Sequence, residues 1–466
     1  MQIEWKKEIQ NRREALLADL QEILKIESVR DEAQATPEAP FGPGPYAALE
    51  KFLKIANRDG FKTVNVDNMA GHIEFGQGKE TLGILAHVDV MPAGKGWETD
   101  PFKPLIKDNK LYARGASDDK GPAMAAYYGL KLLKELNLPI NKRVLLIIGT
   151  DEESGWRCMT RYFKKMPLPD FGFSPDAFFP LINGEKGNAT YHVDFQGGNG
   201  EQSKLITFNA GLRENMVPRD AKAVLSGVEY NMVKEHLAQF TADKPVDGEA
   251  LEKDNTVEVI LVGKAAHAQE PRKGENAGTY LALFLKQFGL GGGAANFISF
   301  AADYLHQDSR MNNLGMAFTD KVMGDLTMNA GIFEFDASKG GRITLNFRYP
   351  RGIEASQIEE GLKTAVQKME GTVNPTGKLQ QPHYVSLDDP LVQTLLGVYE
   401  RQTGNKGSGM VVGGGTYGRL LKRGVAFGAM FPGAPDTMHQ ANEFIPVEDL
   451  LRAAAIYAEA IYELIK

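Results

Sequence analysis

Five short stretches of the chain combine residue types that suit catalysis. They are His87-Val88-Asp89, Asp118-Asp119 in Ala-Arg-Gly-Ala-Ser-Asp-Asp-Lys-Gly-Pro, Asp151-Glu152-Glu153, Asp176, and His439 in Asp-Thr-Met-His-Gln-Ala-Asn-Glu-Phe. His87 and Asp89 stand two apart at the end of an apolar run, so on a strand they share one face. Asp151 to Glu153 follow the most apolar segment of the chain, Arg143 to Thr150. Unpaired charges buried together cost several kcal/mol each, and a divalent cation removes that penalty. Imidazole and carboxylate donors without thiolate suit zinc, with manganese or cobalt as alternatives, better than calcium or magnesium. Two histidines and three carboxylates exceed the usual protein ligand set of one catalytic zinc. They would serve two ions roughly 3.5–4 Å apart that share a carboxylate. Such a pair acidifies a bridging water, and Glu152, outside the ligand set, is placed to take its proton.

Groups so far apart in sequence meet only if the fold brings them together. Strand-like runs alternate with helices from the N-terminus to Asn183, as expected for an α/β domain with a mostly parallel central sheet. In such sheets functional groups gather outside the carboxyl ends of the strands. From about residue 184 to 381 the pattern changes to alternating strands such as Thr256–Gly263 and Gly341–Pro350, mixed with helices and Gly-rich stretches. This region reads as an inserted α+β lid domain, long enough for two α+β units. Residues 382–466, ending in a helix from Val447 to Ile465, read as completion of the first domain begun by residues 1–183. Insertion of this kind is tolerated where chain ends lie close together at a surface.

Composition narrows the function. A net charge of −7 argues against nucleic acid as the main partner, since phosphate binding wants a basic face. The single cysteine, Cys158, excludes an intrachain disulfide and cysteine-based metal sites. The N-terminal segment is a charged amphipathic helix without the apolar core of a signal peptide, and no apolar run approaches the roughly 20 residues of a membrane span. The expectation is a cytoplasmic protein without a membrane partner.

Taken in order, His-x-Asp, Arg-Gly-Ala-x-Asp-x-Lys-Gly, Asp-Glu-Glu, a lone Asp and a C-terminal His resemble the dinuclear zinc aminoacylase/carboxypeptidase superfamily of peptidases. Ser117–Pro122, Gly413–Leu420 and His439–Phe444 look most like bacterial dipeptidases of the dipeptidase V type. The resemblance implies that His87, Asp118 and Asp176 hold one ion, and that Asp118, Glu153 and His439 hold the other, with Asp118 bridging. It makes Asp89 the residue that orients His87, and it places Asp119 behind the bridge, often across a cis peptide. Glu152 becomes the general base. In the insertion it implies that His267 donates to the oxyanion and that Arg348 grips the substrate carboxylate. Asn215 would be a neighbouring polar contact, with Gly413, Gly414 and Gly415 offering backbone amides near the substrate termini. The implied reaction is hydrolysis of small peptides with a free amino terminus. The alternative is deacylation of N-acyl amino acids or N-succinyl-diaminopimelate at the same site. Because the insertion is about twice the usual lid, His267 need not come from a partner, and a monomer is expected.

Overall fold

The computed structural model describes residues 3–201 and 204–466. The first two residues, and Gln202 and Ser203 of the polar stretch after Phe195, lie outside it. The chain divides into two compact units, one formed by Met1–Gly184, Tyr384–Met410 and Gly415–Lys466, the other by Glu185–His383 and Val411–Gly414.

The first unit is built on a mixed sheet whose centre is parallel. Its strands run in the order Lys62–Val66, Ala70–Phe75, Arg143–Gly149, Thr81–His87, Phe171–Ser174, Gly424–Ala426 and Ile182–Glu185. The Thr81–His87 strand lies parallel to both Arg143–Gly149 and Phe171–Ser174, and Gly424–Ala426 continues the parallel set. All seven residues of Thr81–His87 are buried, as are six of the seven in Arg143–Gly149. That explains their unbroken apolar sequence, since a sheet covered on both faces cannot alternate. Lys120–Glu135 and the final helix Val447–Ile465 cross closely on one side. A side chain at Gly129 would meet the Ala458 amide nitrogen at 2.9 Å, so the crossing needs glycine there and alanines opposite. The functional consequence is positional: His87, Glu152-Glu153 and Asp176 stand at or just past the carboxyl ends of adjacent parallel strands.

The second unit is an eight-stranded antiparallel sheet. Its order is Asp247–Lys253, Thr256–Val262, Asp220–Ser226, Lys204–Ala210, Thr327–Asp336, Gly340–Tyr349, Gly187–Phe195 and Thr372–Gln380. The first four strands and the last four join through Lys204–Ala210 and Thr327–Asp336, so the sheet is continuous. One apolar core runs along it beneath the helices Tyr230–Thr241, Ala277–Leu285, Gly292–Phe300 and Ala355–Val366. The opposite register is polar: Asn188, Thr190, Asn346 and Arg348 face Thr327 and Asn329 across three neighbouring strands. No helix among the described residues is long and apolar enough to cross a membrane.

Candidate active site

The Thr81–His87 strand ends on an imidazole whose side chain is only 1% exposed. Its Nδ1 lies 3.0 Å from the carbonyl oxygen of Asp89 and 3.4 Å from the Asp89 carboxylate. A ring whose Nδ1–H donates in this way presents Nε2 as a lone pair. That Nε2 is buried without a well-aligned hydrogen bond, although Asp118 Oδ1 and Asp176 Oδ2 lie 3.2 and 3.4 Å away. Without an ion, burial opposes a second proton on the ring, but these carboxylates and Asp89 outweigh it and raise His87 well above its ordinary value. Asp89 also accepts from the Glu153 amide at 3.1 Å, which ties the His87 strand end to the turn after Arg143–Gly149.

Asp118 stands between two histidines. Its Oδ1 faces His87, and its Oδ2 lies 2.9 Å from His439 Nε2. His439 is also 2.9 Å from Glu153 Oε1. Donor atoms of His87, Glu152 and Asp176 fall within 4.8 Å of one another, as do those of Asp118, Glu153 and His439. Exposure rises across the pair, from the buried His87 to a His439 side chain that is 49% exposed, so this cluster is wet at one end.

The peptide between Asp118 and Asp119 is cis. Asp119 turns inward, fully buried, and accepts from the His87 amide at 3.0 Å. The helix Lys120–Glu135 begins immediately after it, and the positive end of a helix dipole favours nearby carboxylates. Gly115 sits at φ +88°, where a side chain would meet Val90 and Lys120 at about 3 Å, so the turn carrying Asp118 requires glycine.

Asp151, the first of the three acidic residues, goes elsewhere. It accepts from Arg30 and from the Arg157 amide, both at 2.8 Å, at the start of the helix Arg157–Lys165.

The electrostatics describe a site that wants positive charge. Burial pushes the carboxyl of Asp176 up to about 6 and that of Glu153 up to about 7, and it raises Glu152 and Asp119 well above the carboxylate range. Hydrogen bonding to Asp118 and Glu153 raises His439 to about 11. Burial opposes ionisation of Asp118, but the two imidazoles outweigh it and hold its carboxyl below the usual range. Protons on this scale stand where cations would. The donor set, imidazole nitrogens and carboxylates around an orphaned buried Nε2, fits divalent metal.

The implied lid residues lie in or beside the second unit. His267 is exposed in the loop after Thr256–Val262, where its Nδ1 accepts from the Gln269 amide at 3.2 Å. The Asn215 carbonyl accepts from the Ala268 amide at 2.9 Å, and Met216 pairs with His267 across an isolated bridge. Asn215 and His267 therefore sit on adjoining segments. Arg348 is buried on Gly340–Tyr349, and a side chain at Gly413 would meet Gln269 at 2.7 Å and Arg348 at 3.6 Å. Space around Gly414 is open, while Gly415, in the first unit, lies against Arg419.

Residues 83–463 match the model of peptidase family M20/M25/M40. The chain belongs to that family. It is a metallopeptidase of the M20 group, and the family's dependence on metal agrees with the donor set described above. A Beta-Ala-Xaa dipeptidase from Lactobacillus delbrueckii subsp. lactis is 43% identical over 469 residues, covering 100% of this chain and 99% of the relative. Human carnosine dipeptidase 1 shares the fold at a TM-score of 0.61 and 15% identity, over 99% of this chain and 98% of that one. Aminopeptidase PepT from Bacillus cereus shares it at 0.60 and 16%, over 97% and 98%.

Several residues around the site escaped the sequence reading. Tyr417 packs edge-on against His87 and Trp156, and its hydroxyl lies 3.0 Å from Cys158 Sγ. Lys120 is fully buried, donates to the carbonyls of Ile23 and Ile26 at 3.3 and 2.8 Å, and is lowered to about 7 by burial. Glu443 and Arg114 form a buried ion pair at 2.6 Å. Both Tyr417 and Glu443 stand inside motifs already singled out. The usable signal was a charged or polar residue flanked by glycine or followed at once by an apolar strand.

Proposed function

We propose that the protein is a cytoplasmic, monomeric dipeptidase that hydrolyses dipeptides bearing a free amino terminus, with two divalent ions, zinc first among them. The observation that carries this reading is Asp118, which offers one oxygen to the His87 group and the other to the His439 group, with Glu152 beside the donors of His87 and Asp176. His87, Asp118 and Asp176 would hold one ion, and Asp118, Glu153 and His439 the other. Bound ions of this kind lower the pKa of water and polarise a carbonyl.

The chain's own residues then have distinct tasks. Asp89 keeps the His87 ring in one orientation, a role that ligand imidazoles usually require. Glu152 accepts a proton from the attacking water at a carboxylate oxygen. As the peptide C–N bond breaks, it passes that proton to the departing amine. His267 donates to the developing oxyanion, and Arg348 receives the free carboxylate of the substrate through its guanidinium fork. Asn215 and the backbone at Gly413, Gly414 and Gly415 complete the contacts. In this account the second unit is a lid that carries the substrate-recognising groups.

The 43% identical Beta-Ala-Xaa dipeptidase supports dipeptides over N-acyl amino acids as substrates. Turnover of a free dipeptide, its N-acetyl form and its C-terminal amide tests the reading. The free dipeptide should be much the best substrate, with the amide disfavoured through Arg348. Preference for the N-acetyl form would instead establish a deacylase.

A further inference from the structure

Glu443 follows His439 by four residues and is fully buried. Its carboxylate is filled by one short stretch of chain. Oε2 accepts from Arg114 Nη1 at 2.6 Å and from the Gly115 amide at 3.0 Å. Oε1 accepts from the Ser117 amide at 2.8 Å and the Asp118 amide at 3.1 Å. The Glu443 carbonyl accepts from the Ala113 amide at 3.1 Å, and the strand Phe444–Pro446 then pairs with Lys110–Tyr112. Three amides of one short loop, those of Gly115, Ser117 and Asp118, belong to no helix or strand ladder and are thus satisfied by a single side chain. Those amides would otherwise be buried without partners, at about 1–3 kcal/mol each.

We propose that Glu443 is a positioning residue for the dinuclear centre. It locks the loop that aims Asp118 to the segment that presents His439, so that one carboxylate sets the spacing of the bridging ligand and the second histidine. His439 lies in an irregular turn at φ +62°, with Asn442 at φ +60°. This turn is closed by the Thr437 hydroxyl against the backbone of Phe444. No helix or strand holds the turn from within; its anchors are Glu443, the following strand, and Asn442, which accepts from the Glu98 amide at 2.8 Å and donates to the Gly96 carbonyl at 3.4 Å. A buried Arg114–Glu443 pair for stability alone would need neither the three amides nor this location. The inference rests on the assignment of Asp118 and His439 as ligands.

The decisive substitution is Glu443→Gln, which keeps volume but turns an NH2 group toward two N–H donors. Metal retained by the isolated holoenzyme against rising chelator is measured for wild type, Glu443→Gln, Glu443→Asp and Asp118→Asn. The visible spectrum of each cobalt(II)-substituted protein and its urea stability are recorded alongside. The expected result is a 10–100-fold loss of metal affinity in Glu443→Gln, with an altered cobalt spectrum and partial recovery in Glu443→Asp. Glu443→Gln that is less stable but keeps wild-type affinity and spectrum, while Asp118→Asn loses metal, would overturn the proposal. Asp118→Asn that keeps both ions would instead refute the ligand assignment beneath it. If Glu443→Gln does not fold, Glu443→Asp and hydrogen exchange of the wild type decide the matter. Slow exchange at the Gly115, Ser117 and Asp118 amides is expected, and fast exchange there would overturn the clamp.

Discussion

Replacing Glu152 with glutamine separates proton transfer from metal binding. The side chain keeps its size and loses the ability to accept a proton at neutral pH. Glu152 follows the Arg143–Gly149 strand beside Glu153, and its carboxylate lies within 4.8 Å of donor atoms of His87 and Asp176. No ion need be lost, because His87, Asp118 and Asp176 remain on one side and Asp118, Glu153 and His439 on the other. Loss of a general base lowers rate by about 10²–10⁴, which at 1.36 kcal/mol per decade is about 2.7–5.4 kcal/mol of transition-state stabilisation. Burial raises the Glu152 carboxyl well above its ordinary range, so its removal should not weaken the metal-free fold. The assay is kcat on a free dipeptide, with metal content by elemental analysis of the same sample and urea unfolding after chelation. Turnover within a few-fold of wild type, or a sample holding one ion, would refute the assignment of Glu152 as base.

Three further outcomes are expected. Glu153→Ala and His439→Ala should lose metal together with activity; wild-type affinity for two ions in both would remove them from the ligand set. His267→Ala should keep two ions and lose about 10²–10³ in kcat, and mixing it with Glu152→Ala should restore nothing, whereas recovered activity would establish lids shared between chains. His72 is buried against Tyr162 and lowered to about 4 by desolvation. At His72 the unfolded chain therefore takes up a proton first as pH falls from about 6.5 toward 4, and the contribution of this one residue to metal-free stability should fall by up to about 3 kcal/mol across that window. His72→Gln should flatten that loss in urea titrations, and an unchanged pH slope would contradict it.

What could be read from sequence follows from where each residue sits. His87 ends, and Glu152 and Glu153 follow, strands buried on both faces, and such strands announce themselves as apolar runs. Asp176 follows the four-residue strand Phe171–Ser174, and the sequence suggests instead that a strand begins there. Asp118 precedes a long helix, so its neighbourhood was also readable. His439 had no periodic element around it; its residue type and its place before the last helix marked it as a candidate, and the resemblance gave it a ligand role. Asp151 was grouped with its two acidic neighbours because nothing in sequence reveals Arg30, 121 residues away, as its partner. Glu443 was missed for a related reason: its partners are mostly backbone amides, which carry no residue type to recognise. The pairing of Lys204–Ala210 with Thr327–Asp336, which makes the insertion one continuous sheet, is equally non-local.

The central claim is that two ions share Asp118, and anomalous diffraction from zinc-loaded crystals tests it most directly. Two peaks roughly 3.5–4 Å apart are expected, one beside His87 and Asp176, the other beside Glu153 and His439, with Asp118 contacting both. A single peak, or a second peak away from His439, would contradict it.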